Sequence, residues 1–441
     1  MPFKYLVIST SLALLIATAI HYPLATTFPI GGDAASFIRD AKQFPHQLSR
    51  YPASQATFAA FAALPLSWPD RYTWFAAFAF IAAGLSLGRL ASRIGHWPAA
   101  AVAIVTWSTT LVSIQPHIEA GTLAQLTSLI PLFLFLERLF ARAYKTATLF
   151  LLLTLLAHPL TGIISLLIAY SVMIANAFKH KSFTIHFALP VILLTLLAVG
   201  ILMDQQTFFT NVAAEKSPVP TNDSLRSHFA PAWILAPIGF ILLLKKFKDH
   251  PLAIHSLITF ALLSILFFYN QHLGLGVLTS RFSTYFLSLL TLLFALALPV
   301  LVRSSLQPKA LQTAVPVLLL TCMYIPSLDS ARYVFNYYES PSRYARLHPE
   351  ELAAIDWMKN NLPSSSFIVS SEINRHTEWI PILTSLRWHG LPDDLTLSKL
   401  DSQKYTHAIY LKKREPLPPE VRDRFSIIYD TKAAAILKLN P

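Results

Sequence analysis

The sequence is short of charge. Only 13% of its 441 residues are charged, while 54% are hydrophobic, against about 25% and about 45–50% in soluble domains. The shortage is uneven. Residues 1–328 hold 9 of the 23 acids and 20 of the 35 bases, and 329–441 hold the rest. An apolar body therefore precedes a tail of ordinary water-soluble composition. Cysteine is nearly absent: Cys322 stands alone, which excludes an internal disulfide and a cysteine metal site. There is no phosphate loop, no dinucleotide fingerprint and no zinc helix motif, so a cytoplasmic nucleotide donor is not expected. Ionisable residues are scarce within the apolar runs, which argues against a pump or an ion-coupled transporter. Alternating ten-residue segments are absent, which excludes a membrane barrel.

What the body does contain is apolar runs of the ~20 residues that cross ~30 Å of hydrocarbon. In lipid such runs must be helices, because every backbone polar group needs an internal partner. The expected spans are 5–24, 72–89, 97–114, 121–138, 147–157, 160–178, 184–203, 231–244, 251–269, 282–302 and 310–326. The first is too long for a signal-peptide core and reads as a retained helix. The stretch 53–66 is apolar but short, and reads as a helix lying in the interface or dipping in and back. The stretch 147–178 is too long for one span and basic at both ends. Two short helices meeting at His158-Pro159 resolve this, with the tip facing the outer side or a cavity.

The net charge of +12 does not indicate nucleic acid, because the bases of the body cluster at helix ends. One alternate set of ends carries thirteen, from Lys4 through Arg89, Arg93, Arg138, Arg142 and Lys145 to Lys309, and the opposite set seven over much longer loops. The positive-inside rule then places the N-terminus in the cytoplasm. Loops 25–71, 115–120, 204–230 and 270–281 lie outside with the tail, in a multi-pass protein of the cytoplasmic membrane. The expected fold class is an all-α polytopic membrane protein of about eleven transmembrane helices. Its domains are a body over 1–328, with its first outer loop at 25–71, and a small C-terminal extracytoplasmic α/β domain over 329–441. In the tail, Pro349-Glu350-Glu351 opens a helix with acids at the positive end of its dipole. The segments Phe367–Ser370, His407–Leu411, 425–429 and 435–439 read as strands.

Candidate chemistry sits on the outer side. Gly31-Gly32-Asp33 allows a tight turn before an acid. A carboxylate there suits a general base, a divalent-cation ligand (Mg or Mn) or a helix N-cap. Asp40 follows Arg39, as a substrate contact or a solvated loop acid. His117 and Glu119, in a very short second loop, are placed to complete a catalytic and metal site with Asp33, or serve ordinary turn chemistry. His158 is a substrate-site residue or satisfies backbone groups freed at the break. Arg281, at the outer end of a span, is placed to grip a phosphate at headgroup depth or to snorkel. Glu378-Trp379-Ile380-Pro381 and Arg387-Trp388-His389 combine polar and aromatic groups of the kind that meet sugars.

These features carry a resemblance: Gly32-Asp33 after the first span, Tyr51-Pro52, Glu119-Ala120-Gly121-Thr122, His158-Pro159-Leu160-Thr161-Gly162, and the tail phrase from Glu351 to Lys359. The sequence resembles the GT-C superfamily of membrane glycosyltransferases, which use polyprenyl-phosphate-sugar donors. The resemblance implies transfer of a sugar to a glycan, lipid or protein acceptor on the outer face. It also implies a catalytic base or metal ligand at Asp33, and, by position, a phosphate contact at Arg281. Two departures stand out. Ala34 follows Asp33 where several members have a second acid, and the Trp-Trp-Asp signature of oligosaccharyltransferases is absent. A non-catalytic membrane scaffold and a lipid or glycan transporter are the alternatives.

Overall fold

The apolar runs form helices, as the backbone's need for internal hydrogen bonds in lipid requires. The structure, a computed structural model, describes residues 3–25, 34–46, 51–109, 123–179, 185–204, 235–245, 251–268, 279–305, 347, 349–370, 377–390, 405–412, 417, 419, 421 and 425–439. In the body α1 covers Phe3–Ala25, α2 Ala34–Gln43, α3 Pro52–Ala60 and α4 Trp68–Thr109. Then come α5 Leu123–Phe140, α6 Tyr144–Ala157, α7 Pro159–Lys179 and α8 Ile185–Asp204. The last three are α9 Leu235–Lys245, α10 Pro251–Phe268 and α11 Thr279–Ser305. Among the described residues, four helices are long and apolar enough to cross a membrane, within α1, α4, α5 and α11. Shorter apolar stretches lie at Tyr144–Ala157, Pro159–Ala175, Phe187–Gly200, Leu235–Lys245 and His255–Leu266, and the expected span 310–326 lies outside the described residues.

Helix α4 joins two expected spans. Its path breaks at His96 (φ 65, ψ −169), two residues before Pro98. The two halves then pack on each other: the Trp107 indole donates to the Phe80 carbonyl at 3.2 Å, and the two rings lie 5.6 Å apart. Glycines permit this approach. A Cβ at Gly84 would stand 2.7 Å from Trp107 Cδ1, and one at Gly88 2.7 Å from Ile104 Cγ1. The expected break between α6 and α7 is also present. His158 has extended backbone (φ −158, ψ 115) and Pro159 starts the next helix.

The first loop packs onto the body. Helix α3 and the 3-10 turn Phe61–Ala63 form the short helix expected over 53–66. The fully buried Phe58 packs within 5.3 to 6.1 Å of Phe37, Tyr72 and Phe75, centroid to centroid, and ties α2, α3 and α4 together.

The tail contains α12, Pro349–Asn361, and a five-stranded sheet of order β2-β1-β3-β5-β4. Strand β1 (Phe367–Ser370) runs parallel to β2 (Arg387–Gly390) and β3 (His407–Leu411). Strand β5 (Ala434–Leu439) is antiparallel to β3 and β4 (Phe425–Asp430). Ile368, Val369, Ile436 and Leu437 are fully buried at its centre. The edge strand β2 falls on Arg387-Trp388-His389, read from sequence as a ligand surface. Trp379, 4% exposed, belongs to the core and offers no ring face to a sugar. A short helix, α13 (Ile380–Leu383), reaches α2: Lys42 Nζ donates to the Ile382 carbonyl at 3.2 Å. Tail and first loop therefore share one side of the body.

Candidate functional site

The site begins with one face of α3. Tyr51, Ser54, Gln55 and Phe58 recur at the three- and four-residue spacing that lines a single helix face. Phe58 anchors that face in the aromatic cluster, and the polar three point into the body. The Tyr51 ring stacks on the His158 imidazole, with centroids 5.4 Å apart and planes 12° apart. Ser54 Oγ donates to the Ala157 carbonyl at 2.9 Å and meets Thr127 Oγ1 at 2.5 Å. A loop helix is thus bonded to the break between α6 and α7 and to α5.

Below it lies a buried hydroxyl chain whose direction follows from counting protons. Ser128 Oγ donates to the Gln125 carbonyl at 2.6 Å. A serine has one hydroxyl proton, so at its 2.7 Å contact with Thr161 Oγ1 it accepts and Thr161 donates. Thr161's own proton is then committed, and Tyr285 donates to it at 2.6 Å. His158 Nδ1 lies 3.2 Å from the same oxygen. The Thr161 backbone N–H points at the same ring nitrogen, at 3.4 Å. Thr161, Ser128 and Tyr285 are 1% exposed or less, so helices α5, α7 and α11 share a dry polar seam.

Asp40 joins through Gln55. The Gln55 amide donates to Asp40 Oδ2 at 3.1 Å, and Arg39 Nε lies 3.8 Å from Oδ1. Turning the amide round would set two oxygens against each other, so its orientation is fixed. Gln55 is fully buried, yet its Oε1 has no hydrogen-bond donor among the described residues. A buried acceptor without a donor carries a desolvation cost, and a hydroxyl-bearing ligand would relieve it. On the solvent side of α2, Lys42 lies over the Trp68 ring at 5.7 Å, and burial draws its pKa below the ordinary value.

The sequence candidates divide as follows. Asp40 and His158 both meet the α3 face, Asp40 through Gln55 and His158 through the Tyr51 ring. His158 is 5% exposed beneath Tyr51. Arg281 belongs to α11, and its backbone position precedes Tyr285 by four residues, one turn along the same face. Asp33, His117 and Glu119 lie outside the described residues. Asp33 directly precedes α2, whose first two residues are 1% exposed or less. Among the described residues no three His, Cys, Asp or Glu side chains gather as metal ligands. Asp40 is engaged by Arg39 and Gln55, which does not suit a cation. Sequence reading did not single out Ser54, Gln55, Ser128 or Tyr285. Their signal is faint: lone hydroxyl and amide groups in apolar runs.

No protein-family model matches the chain, and no curated protein does. Solved structures do. The apo oligosaccharyltransferase of Archaeoglobus fulgidus superposes with a TM-score of 0.61 at 13% identity, over 93% of this chain and 70% of that one. The same archaeal protein has been solved with Zn and sulfate. ArnT from Cupriavidus metallidurans, bound to undecaprenyl phosphate, gives 0.57 at 10% identity, over 98% of this chain and 97% of that one. The mycobacterial arabinofuranosyltransferase AftD gives 0.58 at 13% identity, and covers 98% of this chain but only 41% of its own. A body of apolar helices, a folded first loop and a tail on the same side as that loop thus form a GT-C-like fold.

Proposed function

We propose that the protein is a glycosyltransferase of the cytoplasmic membrane, which moves a sugar from a polyprenyl-phosphate donor to an acceptor on the outer face. The observation that carries this is the buried polar seam beneath the first loop. It includes the unmatched Gln55 Oε1, and it lies in a GT-C-like fold where an all-apolar interior would otherwise be expected. The body is assigned to residues 1–328 and the extracytoplasmic tail to 329–441. Asp33, at the entry to α2, takes the proton of the acceptor hydroxyl. The oxygen attacks the anomeric carbon, the bond from that carbon to the phosphate oxygen breaks, and the lipid phosphate leaves with the electron pair. Arg281, one turn above Tyr285, steadies that phosphate by paired charge-assisted hydrogen bonds. Asp40 and His158 contact substrate from the α3 side, and His117 approaches from the second loop. Asp33 and Glu119 are the carboxylates assigned to a divalent cation, and no step above depends on it. Transfer at the membrane face, away from bulk water, limits hydrolysis of the donor.

The test is mass spectrometry of envelope glycans and glycolipids in three strains: a gene deletion, the deletion restored with wild type, and the deletion restored with Asp33→Asn at equal protein level. The expected result is loss of one sugar in the deletion, restored by wild type alone. Equal restoration by Asp33→Asn overturns the role of Asp33. No glycan change at all overturns transferase function and moves the scaffold and transporter readings ahead.

A further inference from the structure

At the end of the helices remote from the first loop, a cavity of about 370 Å³ opens between α4, α9 and α11. That size lies within the ~300–1,000 Å³ typical of small-molecule sites. Its floor is apolar, with Ile94, Leu243 and Leu296 all 6% exposed or less. Its polar rim is basic: His96 and Lys245 line it, and among the described residues no acid does. Arg93, exposed three residues before His96, adds to the same side. Glu137, the acid at this end of α5, is already engaged, with Arg138 at 3.0 Å and Arg89 at 3.8 Å.

Two further observations bear on the occupant. His96 holds φ 65 and ψ −169, a combination essentially reserved for glycine and costly to any side chain. A glycine would make the α4 turn more cheaply, so the imidazole at the cavity rim is maintained against backbone strain. The cavity also opens sideways onto lipid-facing surface, where Val300 is 44% and Ile241 63% exposed. A soluble anion would use the basic rim and leave the apolar floor idle.

From these features we infer that the cavity is a binding site for an anionic phospholipid of the leaflet opposite the first loop, which the positive-inside reading makes the cytoplasmic leaflet. The Lys245 ammonium and a His96 N–H hold the headgroup phosphate. An acyl chain enters between α9 and α11 and continues along Val300 and Ile241. Basic pockets between helices on the cytoplasmic side are suited to acidic headgroups. This site is independent of the outer chemistry and stands whether or not the chain transfers sugar.

The test is native mass spectrometry of the full-length protein in mild detergent, titrated with phosphatidylglycerol and, separately, with zwitterionic phosphatidylethanolamine. The variants are Lys245→Glu, His96→Gly and, as a control of equal charge change, Lys145→Glu on exposed α6 surface. Wild type retains phosphatidylglycerol preferentially. His96→Gly weakens retention while preserving or raising thermal stability, because it relieves the strained turn, so lost binding there cannot be lost folding. Lys245→Glu lowers retention about 25-fold, at about 5-fold for each unit of charge, and Lys145→Glu leaves it near wild type. Equal retention of the two lipids, an equal fall in Lys145→Glu, no fall in His96→Gly, or displacement by inorganic phosphate would each overturn the inference.

Discussion

Thr161→Val removes one oxygen from the centre of the buried seam and changes little in shape. Thr161 Oγ1 bonds two other helices, to Ser128 on α5 at 2.7 Å and to Tyr285 on α11 at 2.6 Å. Interhelical hydrogen bonds in membranes average about 0.6 kcal/mol and reach about 1.7. The loss of two predicts a destabilisation of about 1–3 kcal/mol, toward the upper end because both distances are short and both partners are fully buried. Tyr285→Phe removes only the bond to α11 and should cost about half as much. The double variant tests the wiring. With Thr161 already valine, the Tyr285 hydroxyl has lost its acceptor in the seam, so the second change adds little. The single effects should then exceed the double by about 0.5–1.5 kcal/mol, a coupling in the range seen for contacting groups. Detergent-denaturant unfolding followed by tryptophan fluorescence measures all four proteins. Additive single effects, or a Thr161→Val cost below about 0.5 kcal/mol, would refute the role of Thr161 as the bridge between α5 and α11.

Two further tests concern packing and titration. A Cβ at Gly239 on α9 would lie 2.0 Å from the Leu293 carbonyl oxygen, and backbone cannot swing aside. Gly239→Ala should therefore cost near the top of the ~1–3 kcal/mol range for overpacking. Gly200→Ala on α8, where nothing lies within 4 Å, should gain about 0.5–1 kcal/mol of helix propensity. Thermal melts that fail to separate the two would contradict the α9–α11 contact. In the tail, burial and then the charge of Lys438 push the His407 imidazole below its ordinary value. The unfolded chain binds more protons there than the folded one, so this group's contribution rises with pH and is lost as pH falls below about 6.5. Hydrogen exchange of β3 should show weaker protection at pH 5 than at pH 7, and His407→Gln should reduce that difference. An unchanged difference in the variant would remove His407 from the account.

The helices were legible because lipid leaves the backbone one local solution, and composition alone finds the runs. The break at His158-Pro159 was legible because proline forbids continuation and the length was wrong for one span. The α4 turn was anticipated as two spans, but its device was not, because nothing in Gly95-His96-Trp97 reveals a histidine at positive φ. In the tail, four strands followed from β-branched and aromatic runs. Strand β2 did not: Arg387-Trp388-His389-Gly390 is half exposed on a sheet edge and carries no alternating apolar pattern. Its strand form comes from parallel pairing with β1, a contact with a partner some twenty residues away.

The site was legible only where it is charged. Asp33, Asp40, His117, Glu119, His158 and Arg281 stand out in a body with so few ionisable groups. Of these, Asp40 and His158 both meet the α3 face. The groups around them are neutral: Tyr51, Ser54, Gln55, Thr161, Ser128 and Tyr285. A hydroxyl in an apolar helix usually bonds the carbonyl one turn back, as Ser165 does to Thr161 and Ser288 to Thr284, and in sequence the two uses look alike. What separates them is which helix faces which, a property of the assembled bundle. Arg281 and Tyr285 show how far the sequence reaches toward it. Their four-residue spacing puts both backbone positions on one face of α11, so a phosphate contact proposed from position alone falls one helical turn from the start of the buried chain. If Arg281 holds the leaving phosphate, Tyr285→Phe should slow transfer by loosening the helix turn that carries it, in addition to its cost in stability.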